Sequence, residues 1–430
     1  MLVASAIAFI AAYALGFRQL LYVAVALAAL PLIALAMVRM HRPTLSVTRS
    51  FSPHVVEAGS AATVSLLVHN LGASRTMRAT CWDEVPWVES GTSALELPVT
   101  QPRSPRFSRR SSTARLVYDL RPPRRGIFPI GPFVVQLDDA FGFATMTYRV
   151  GVTQDVIVTP EVVVLAETGL SVSAGDGESR LVQRRSSGDD DDSMTREYRT
   201  GDAMRRVHWR ASARHGDLMV RQEEQRSFPA ARLILDTRGI GYEDLSGDER
   251  TGEFDSDSFE WAVRMLASVA VHLRRFGFLV TVEESGSPQL EIDISRRHHR
   301  LDEEFLAELA ELRLTLSSDS APNLSGSMEK GRGSNGPIVA IVGAPDGQTL
   351  EWMISQRRPG DVAVAFLVQA VSAIDSDGRS PGVRESSSLA ATTTRLVNAG
   401  WLVIPVRSDD DHAAVWEAVV FETGRSRVTD

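Results

Sequence analysis

The first forty residues constrain this chain more than any other part of it. Residues 1–17, MLVASAIAFIAAYALGF, carry no charge, and neither do residues 19–38, QLLYVAVALAALPLIALAMV. A helix needs about 20 apolar residues to cross a hydrocarbon core about 30 Å thick. The second stretch meets that length. The first is shorter and spans only with local thinning of the bilayer or by using the start of the chain. Gly16-Phe17-Arg18-Gln19 reads as the tight turn of a helical hairpin over residues 1–40, and Pro31 as a tolerated kink in its second helix. Only Arg18 lies in the turn, whereas Arg39, His41, Arg42 and Arg49 follow the second helix. Cations gather on the cytoplasmic side of a span, so the expectation is a two-pass protein of the cell membrane with its body in the cytoplasm. A cleaved signal peptide would carry a basic stretch ahead of its apolar one, and here there is none.

The whole chain has 430 residues, which leaves room for two or three domains. The net charge of −8 supplies no basic face to displace counterions, so no nucleic-acid partner is expected. Cys81 is the only cysteine, which rules out an intramolecular disulfide and a cysteine-rich zinc site.

Residues 44–165 read as a β-sandwich-like domain. TLSVTRSF, ATVSLLVHN, ARLVYDL, GPFVVQL and DVIVTP are short, rich in β-branched residues and bounded by Pro, Gly and Asn. Arg103, Arg106, Arg109 and Arg110 fall in a Pro/Ser-rich stretch that reads as a solvated loop. Residues 166–195 read as an acidic polar linker, in which Asp189–Asp192 lacks the interleaved Gly and final Glu of a calcium loop. From 231 to 425 the pattern alternates. RLILDT, FLVTVEE, PIVAIVG, DVAVAFLV and WLVIPV are apolar strands separated by stretches with helical spacing, and residues 318–336 form a flexible loop. Apolar strands alternating with helices imply a parallel sheet covered on both faces, a doubly wound α/β domain.

Residues 196–230 are the densest unusual stretch. Arg196, Arg199, Arg205, Arg206, Arg210, Arg214 and Arg221 are interleaved with Tyr198 and Trp209. Planar guanidinium groups pair with phosphate or carboxylate in a fork. The same residues can equally form an ion-pair network or a partner contact with Glu197, Asp202, Asp217, Glu223 and Glu224.

The run Arg196-x-Tyr198-x-x-Gly201-Asp202-x-x-Arg205-x-x-x-Trp209-x-x-Ser212-Ala213-Arg214 resembles the signature of the domain-of-unknown-function 58 family. Upstream, Arg125-Gly126 through Gly131-Pro132 resembles that family's Arg-Gly…Gly-Pro stretch. Asp138-Asp139-Ala140-Phe141-Gly142-Phe143 resembles its Asp-Pro-Phe-Gly turn, with Ala140 where proline is usual. The resemblance covers almost the whole chain. It implies a von Willebrand factor A-like C-terminal domain and work beside a MoxR-type AAA+ ATPase and other membrane proteins.

A metal-binding von Willebrand A domain places Asp-x-Ser-x-Ser after its first strand. Here Asp236 is followed by Thr237-Arg238-Gly239-Ile240, so both serines are replaced. Isoleucine cannot ligate, and an arginine beside the site repels a cation and is placed to pair with Asp236 instead. Asp236 is therefore a degenerate metal position, and no cofactor is expected. There is no GxxxxGK[ST] loop, no GxSxG and no HExxH, and Lys330 is the only lysine. The reading reached from sequence is a membrane-anchored scaffold or adaptor rather than an enzyme, with Arg196, Tyr198, Gly201, Asp202, Arg205, Trp209, Ser212 and Arg214 as its contact segment. The alternatives are an enzyme acting on a phosphate-containing substrate or nucleic acid through those arginines, and a structural envelope protein without an ATPase partner.

Overall fold

A computed structural model describes residues 1–40, 42–88, 91–102, 112–139, 141–167, 195–198, 204, 207, 209–221, 229–248, 253–290, 301–315, 336–358, 361–371 and 383–426. The linker through residue 194, Asp189–Asp192, the arginines at 103–110 and residues 318–335 lie outside that set. The chain divides into two compact units, Met1–Glu161 with Leu306–Glu311, and Val162–Phe305 with Leu312–Asp430.

The first unit opens with α1 (Leu2–Leu15) and α2 (Arg18–Met40), which pack against each other. The turn between them is tighter than the sequence suggests: only Gly16 and Phe17 lie outside helix, and Arg18 already begins α2. Ser5 Oγ donates to the Ala24 carbonyl at 2.8 Å, which ties the two helices together. By length and composition α2 can cross a membrane; α1 is apolar but shorter.

Strands β1 (Leu45–Ser52), β2 (Val56–Glu57), β3 (Ala62–Asn70), β4 (Ala79–Asp83), β5 (Leu95–Leu97), β6 (Thr113–Leu120), β7 (Gly126–Ile130), β8 (Phe133–Asp138), β9 (Thr145–Val150) and β10 (Gln154–Thr159) follow. They form three sheets, ordered β1-β3-β6, β2-β10-β7 and β5-β4-β8-β9. Pairing is antiparallel except between β2 and β10. Strict alternation in β3 sends Ala62, Val64, Leu66 and Val68 into a core shared with Val135, Leu137 and Val158. Ala34 and Val38 of α2 are buried in that same core. Strand β9, TMTYRV, escapes the sequence reading because none of its side chains is fully buried.

At the centre of this unit lies a charged group. Arg49 donates in a fork to Asp83, Nε to Oδ2 at 3.0 Å and Nη2 to Oδ1 at 2.7 Å. Tyr118 adds its hydroxyl to Asp83 Oδ2 at 2.8 Å, and Arg49 Nη1 reaches the Val152 carbonyl at 2.9 Å. The family-like Gly131-Pro132 turn exists for this group. Gly131 has φ +103°, and a Cβ there would sit 2.6 Å from Arg49 Nη2. Cys81, on β4, is buried, and burial with the field of Asp83 pushes its thiol up to about 12, so the nucleophilic thiolate is scarce at neutral pH.

The second unit contains β11 (Thr195–Glu197), α3 (Trp209–His215), β12 (Met219–Arg221), β13 (Ala230–Leu235), β14 (Ser246–Asp248), β15 (Glu253–Asp255), α4 (Asp257–Arg275) and β16 (Leu279–Glu284). After α5 (Leu301–Glu311) come β17 (Ile338–Val342), α6 (Gly347–Gln356), β18 (Ala363–Gln369), α7 (Val383–Asn398), β19 (Leu402–Arg407) and α8 (His412–Ser426). Five strands form an all-parallel sheet ordered β16-β13-β17-β18-β19. Numbered along the chain this is 2-1-3-4-5, a doubly wound order. Every residue of β17 is buried, as coverage of both faces demands. Leu350, Trp352 and Met353 of α6 with Leu396 of α7 pack on one face, against Ile234, Ala340 and Ala365. Trp261 of α4 and Trp416 of α8 pack on the other, both against Phe366. Helix α4 starts where Ser256 Oγ accepts from Phe259 N at 3.1 Å and stops at Gly277, as its polar start and glycine end lead one to expect.

Removing one partner of a buried ion pair leaves an uncompensated charge, at a cost of about 3–5 kcal/mol. Asp83→Ala is therefore expected to lower the denaturant midpoint of the detergent-solubilised chain far more than Tyr118→Phe, which removes one hydrogen bond worth about 1 kcal/mol. Equal effects would show that Arg49 finds compensation elsewhere.

Candidate functional site

In an open parallel sheet, ligands gather at the carboxyl ends of strands where the order reverses. Here that point lies between β13 and β17. Asp236 follows β13 directly and is fully buried. Asp236 collects groups from the two loops that follow β13 and β16. Ser285, just after β16, donates its hydroxyl to Oδ1. The Arg238 backbone N–H donates to Oδ1 at 3.2 Å and its Nε at 3.4 Å. Tyr242 donates its hydroxyl to the Asp236 carbonyl at 2.7 Å. Among the described residues Asp236 Oδ2 has no hydrogen-bond partner. Gly241 closes over it, since a Cβ at Gly241 would lie 2.6 Å from Oδ2.

Arg238 makes this site an ion-pair cluster that reaches from buried Asp236 to partly exposed Asp346. Its Nη2 donates to Asp346 Oδ1 at 3.1 Å and to the Thr349 hydroxyl. Asp346 also caps α6, accepting from Thr349 N at 3.0 Å. Burial pushes the Asp236 carboxyl above the usual carboxylate range, against the Ser285 hydrogen bond and the Arg238 charge. Burial acts the same way on Asp346, but hydrogen bonds from Thr349 and Arg238 outweigh it and hold that carboxyl low. For Arg238, burial works against the charge, and the two aspartates more than offset it.

A divalent cation does not fit these residues. The guanidinium already lies between the two carboxylates, and beside buried Asp236 a second cation would be repelled by it with little screening. The sequence placed Asp236 and Arg238 together. Ser285, Asp346 and Thr349 it did not find, although the Asp-Gly-x-Thr run after β17 is a legible helix start.

The contact segment is described in part. Glu197 and Tyr198 extend the β11–β12 ribbon, where Tyr198 N donates to the Leu218 carbonyl at 2.7 Å. Arg196 lies opposite Val220 in that ribbon. Ser212 plays a structural part: its Oγ accepts from Met219 N at 2.8 Å, which folds α3 back onto β12. Trp209, at the start of α3, is 64% exposed, and Arg214 is exposed as well. Gly201, Asp202 and Arg205 lie outside the described residues.

These features define a class, a doubly wound α/β unit whose switch-point aspartate is engaged by an internal arginine. Residues 194–277, from β11 through α4 and so including Asp236, Arg238, Trp209 and Ser212, match the family described as Protein of unknown function DUF58. No curated protein matches the chain. Among solved structures, the CARDB domain of a Pyrococcus furiosus protein is 16% identical over 27% of this chain and 88% of its own, with a TM-score of 0.19. Spo0M, a sporulation control protein from Bacillus subtilis, is 10% identical over 26% of this chain and 49% of its own, with a TM-score of 0.15. A cycloisomaltooligosaccharide glucanotransferase from Paenibacillus sp. is 10% identical over 83% of this chain and 52% of its own, with a TM-score of 0.17. Likenesses at these scores carry no argument about fold or activity here.

The raised Asp236 carboxyl has a pH consequence. A group whose folded value lies above its ordinary value of about 3.9 contributes stability that is full below that value and lost as pH rises through the folded one. Asp236→Asn removes the titration. The denaturant midpoint of Asp236→Asn relative to wild type is expected to rise as pH increases from about 4 towards neutrality. A difference that stays flat, or runs the other way, would mean that Arg238 keeps the carboxylate ionised throughout.

Proposed function

We propose that this chain is a membrane-anchored scaffold or adaptor that presents its α/β unit to protein partners. The observation that carries the reading is the state of the switch-point site. Asp236, Arg238, Asp346, Thr349 and Ser285 bond to one another, so groups that could work on a substrate are spent on fixing the loops around them. Loops held this way form a rigid recognition surface.

The length and apolarity of α2 support anchoring in a bilayer. Helix α1 packs on it as the second limb of a hairpin, and the arginines after α2 favour a cytoplasmic body. The strand order, with Asp236 at the end of the first strand of the sheet, supports a von Willebrand A-like reading of the α/β unit. The family match over residues 194–277 covers the contact segment; the company proposed for it, a MoxR-type AAA+ ATPase and further membrane proteins in assembly or maturation of other complexes, rests on the resemblance of the sequence motif. Trp209 and Arg214 are the exposed members of the contact segment, and exposed aromatic and arginine side chains are the residue types that dominate interface energies.

The test is capture of the tagged full chain from detergent-solubilised membranes in the presence of nucleotide. Wild type is expected to co-elute with an AAA+ ATPase, and Trp209→Ala with Arg214→Ala to lose at least tenfold of it while keeping the wild-type denaturation midpoint. Undiminished capture by the folded double variant would move the contact off this segment. Elution of the wild-type chain alone would count against the adaptor reading itself.

A further inference from the structure

The turn between β8 and β9 stands apart from the sites described so far. Asp139 builds it. Its carboxylate accepts from Phe141 N at 2.9 Å and from Ala144 N at 2.7 Å, and its own N–H donates to the Ala144 carbonyl at 3.0 Å. Gly142, at φ +71°, supplies the left-handed residue the turn requires. This bonding holds a bulky apolar side chain outward: Phe141 is 74% exposed, and its ring stacks on Phe143 at 6.0 Å. The turn thus displays Phe141 outward while Phe143, half-buried, packs back on the core.

The register of the first unit says what that neighbour is. Helix α2 packs along β9. Tyr148, within β9, bonds to the Val38 carbonyl through its hydroxyl at 3.4 Å and lies under Arg42 at 6.0 Å from its ring centroid. Four residues further along, the Val152 carbonyl meets Arg49 of β1. Thus β9 leaves the α2 end in the same sense as the chain that runs from α2 into β1. The opposite end of β9, the Phe141–Phe143 turn, points back along α2. Phe143, Met146 and Leu35 of α2 all pack against the core cluster that contains Ala34 and Val38. From Tyr148 back to Thr145, where β9 begins, the strand covers about 10 Å at about 3.3 Å per residue. The same distance along a helix is about 7 residues. Counted back from Val38, that is where α2 leaves the core, since Ala34 is buried while Leu32 and Ile33 are exposed.

We propose that the Phe141-Gly142-Phe143 turn is a second membrane contact, seated at the headgroup–acyl boundary of the bilayer that α2 crosses. The proposal rests on the reading of α2 as a membrane span. A turn inserted beside the helix fixes the sandwich against the bilayer surface, where a single helix would leave it free to swivel.

The test uses the full chain in vesicles of phosphatidylcholine and phosphatidylglycerol. An environment-sensitive fluorophore is placed on Phe141→Cys, Ile33→Cys or Val152→Cys; Cys81 is buried and stays unlabelled. Ile33 is exposed on α2, and Val152, 81% exposed, marks the far end of β9. Spin-labelled acyl chains are expected to quench the probes at 141 and 33 several-fold more than the probe at 152, with emission at shorter wavelength. A probe at 141 that behaves like the one at 152, while 33 is quenched, overturns the proposed contact and leaves the span standing. Probes at both 33 and 141 in water overturn the span and the contact with it.

Discussion

Ala34 and Val38 belong to an apolar helix long enough to cross a bilayer, yet both are buried in the core of the β-rich part of the first unit with Leu66, Val135 and Val158. This junction organises the first unit. A helix that ends in such a core cannot swing about a linker, because any hinge motion would have to expose Val38 and its neighbours to water. Tyr148 reinforces the joint with its hydrogen bond to the Val38 carbonyl and its ring beneath Arg42. Strand β1 begins only a few residues beyond α2, so the direction of the helix sets that of the first strand and, through β1-β3-β6 pairing, of that sheet.

Each unit then solves a problem of buried charge in its own way. In the sandwich, Arg49 and Asp83 meet in a two-bonded fork completed by Tyr118. In the α/β unit, Arg238 joins Asp236 to Asp346 and Thr349 across the sheet's switch point. Ion pairs taken out of water recover little net stability, since desolvation offsets most of the attraction. Their consequence here is positional. The first holds the β4, β7–β8 and β9–β10 connections to β1. The second holds the loops after β13 and β17, and Ser285 adds the loop after β16. A recognition surface built from loops gains from such fixing, because less freedom remains to be lost on binding.

Much of the architecture was legible in the sequence where one physical rule dominated. Hydropathy alone singles out α2, unbroken apolar runs mark β17 and β18, and the helical period with its polar start marks α4. Two kinds of feature were not legible. Lipid and protein interior select the same side chains, so nothing in the apolar composition of α2 separates buried Ala34 and Val38 from their exposed neighbours such as Leu32 and Ile33. The second kind is long-range polar bonding. Asp236 and Arg238 are two residues apart and could be paired by eye, but Ser285, Asp346 and Thr349 reach the cluster only through the crossing order of the sheet, which no local pattern states. Arg49, Asp83 and Tyr118 were missed for the same reason. Within the contact segment, Ser212 proves to be a turn-forming residue, while Trp209 and Arg214 face outward.

The central claim is that anchor and sandwich are one body, joined through the buried face of α2. Hydrogen exchange at the β9 amides of Met146–Val150 tests it most directly, in the reconstituted full chain carrying either Val38→Ala or Ile33→Ala. Val38 is buried and Ile33 is exposed on the same helix. Truncating a buried valine costs about 1–3 kcal/mol, so Val38→Ala is expected to speed exchange along β9 about tenfold or more, with Ile33→Ala at the wild-type rate. Equal exchange in the two variants would contradict the account and make α2 a tether rather than part of the core.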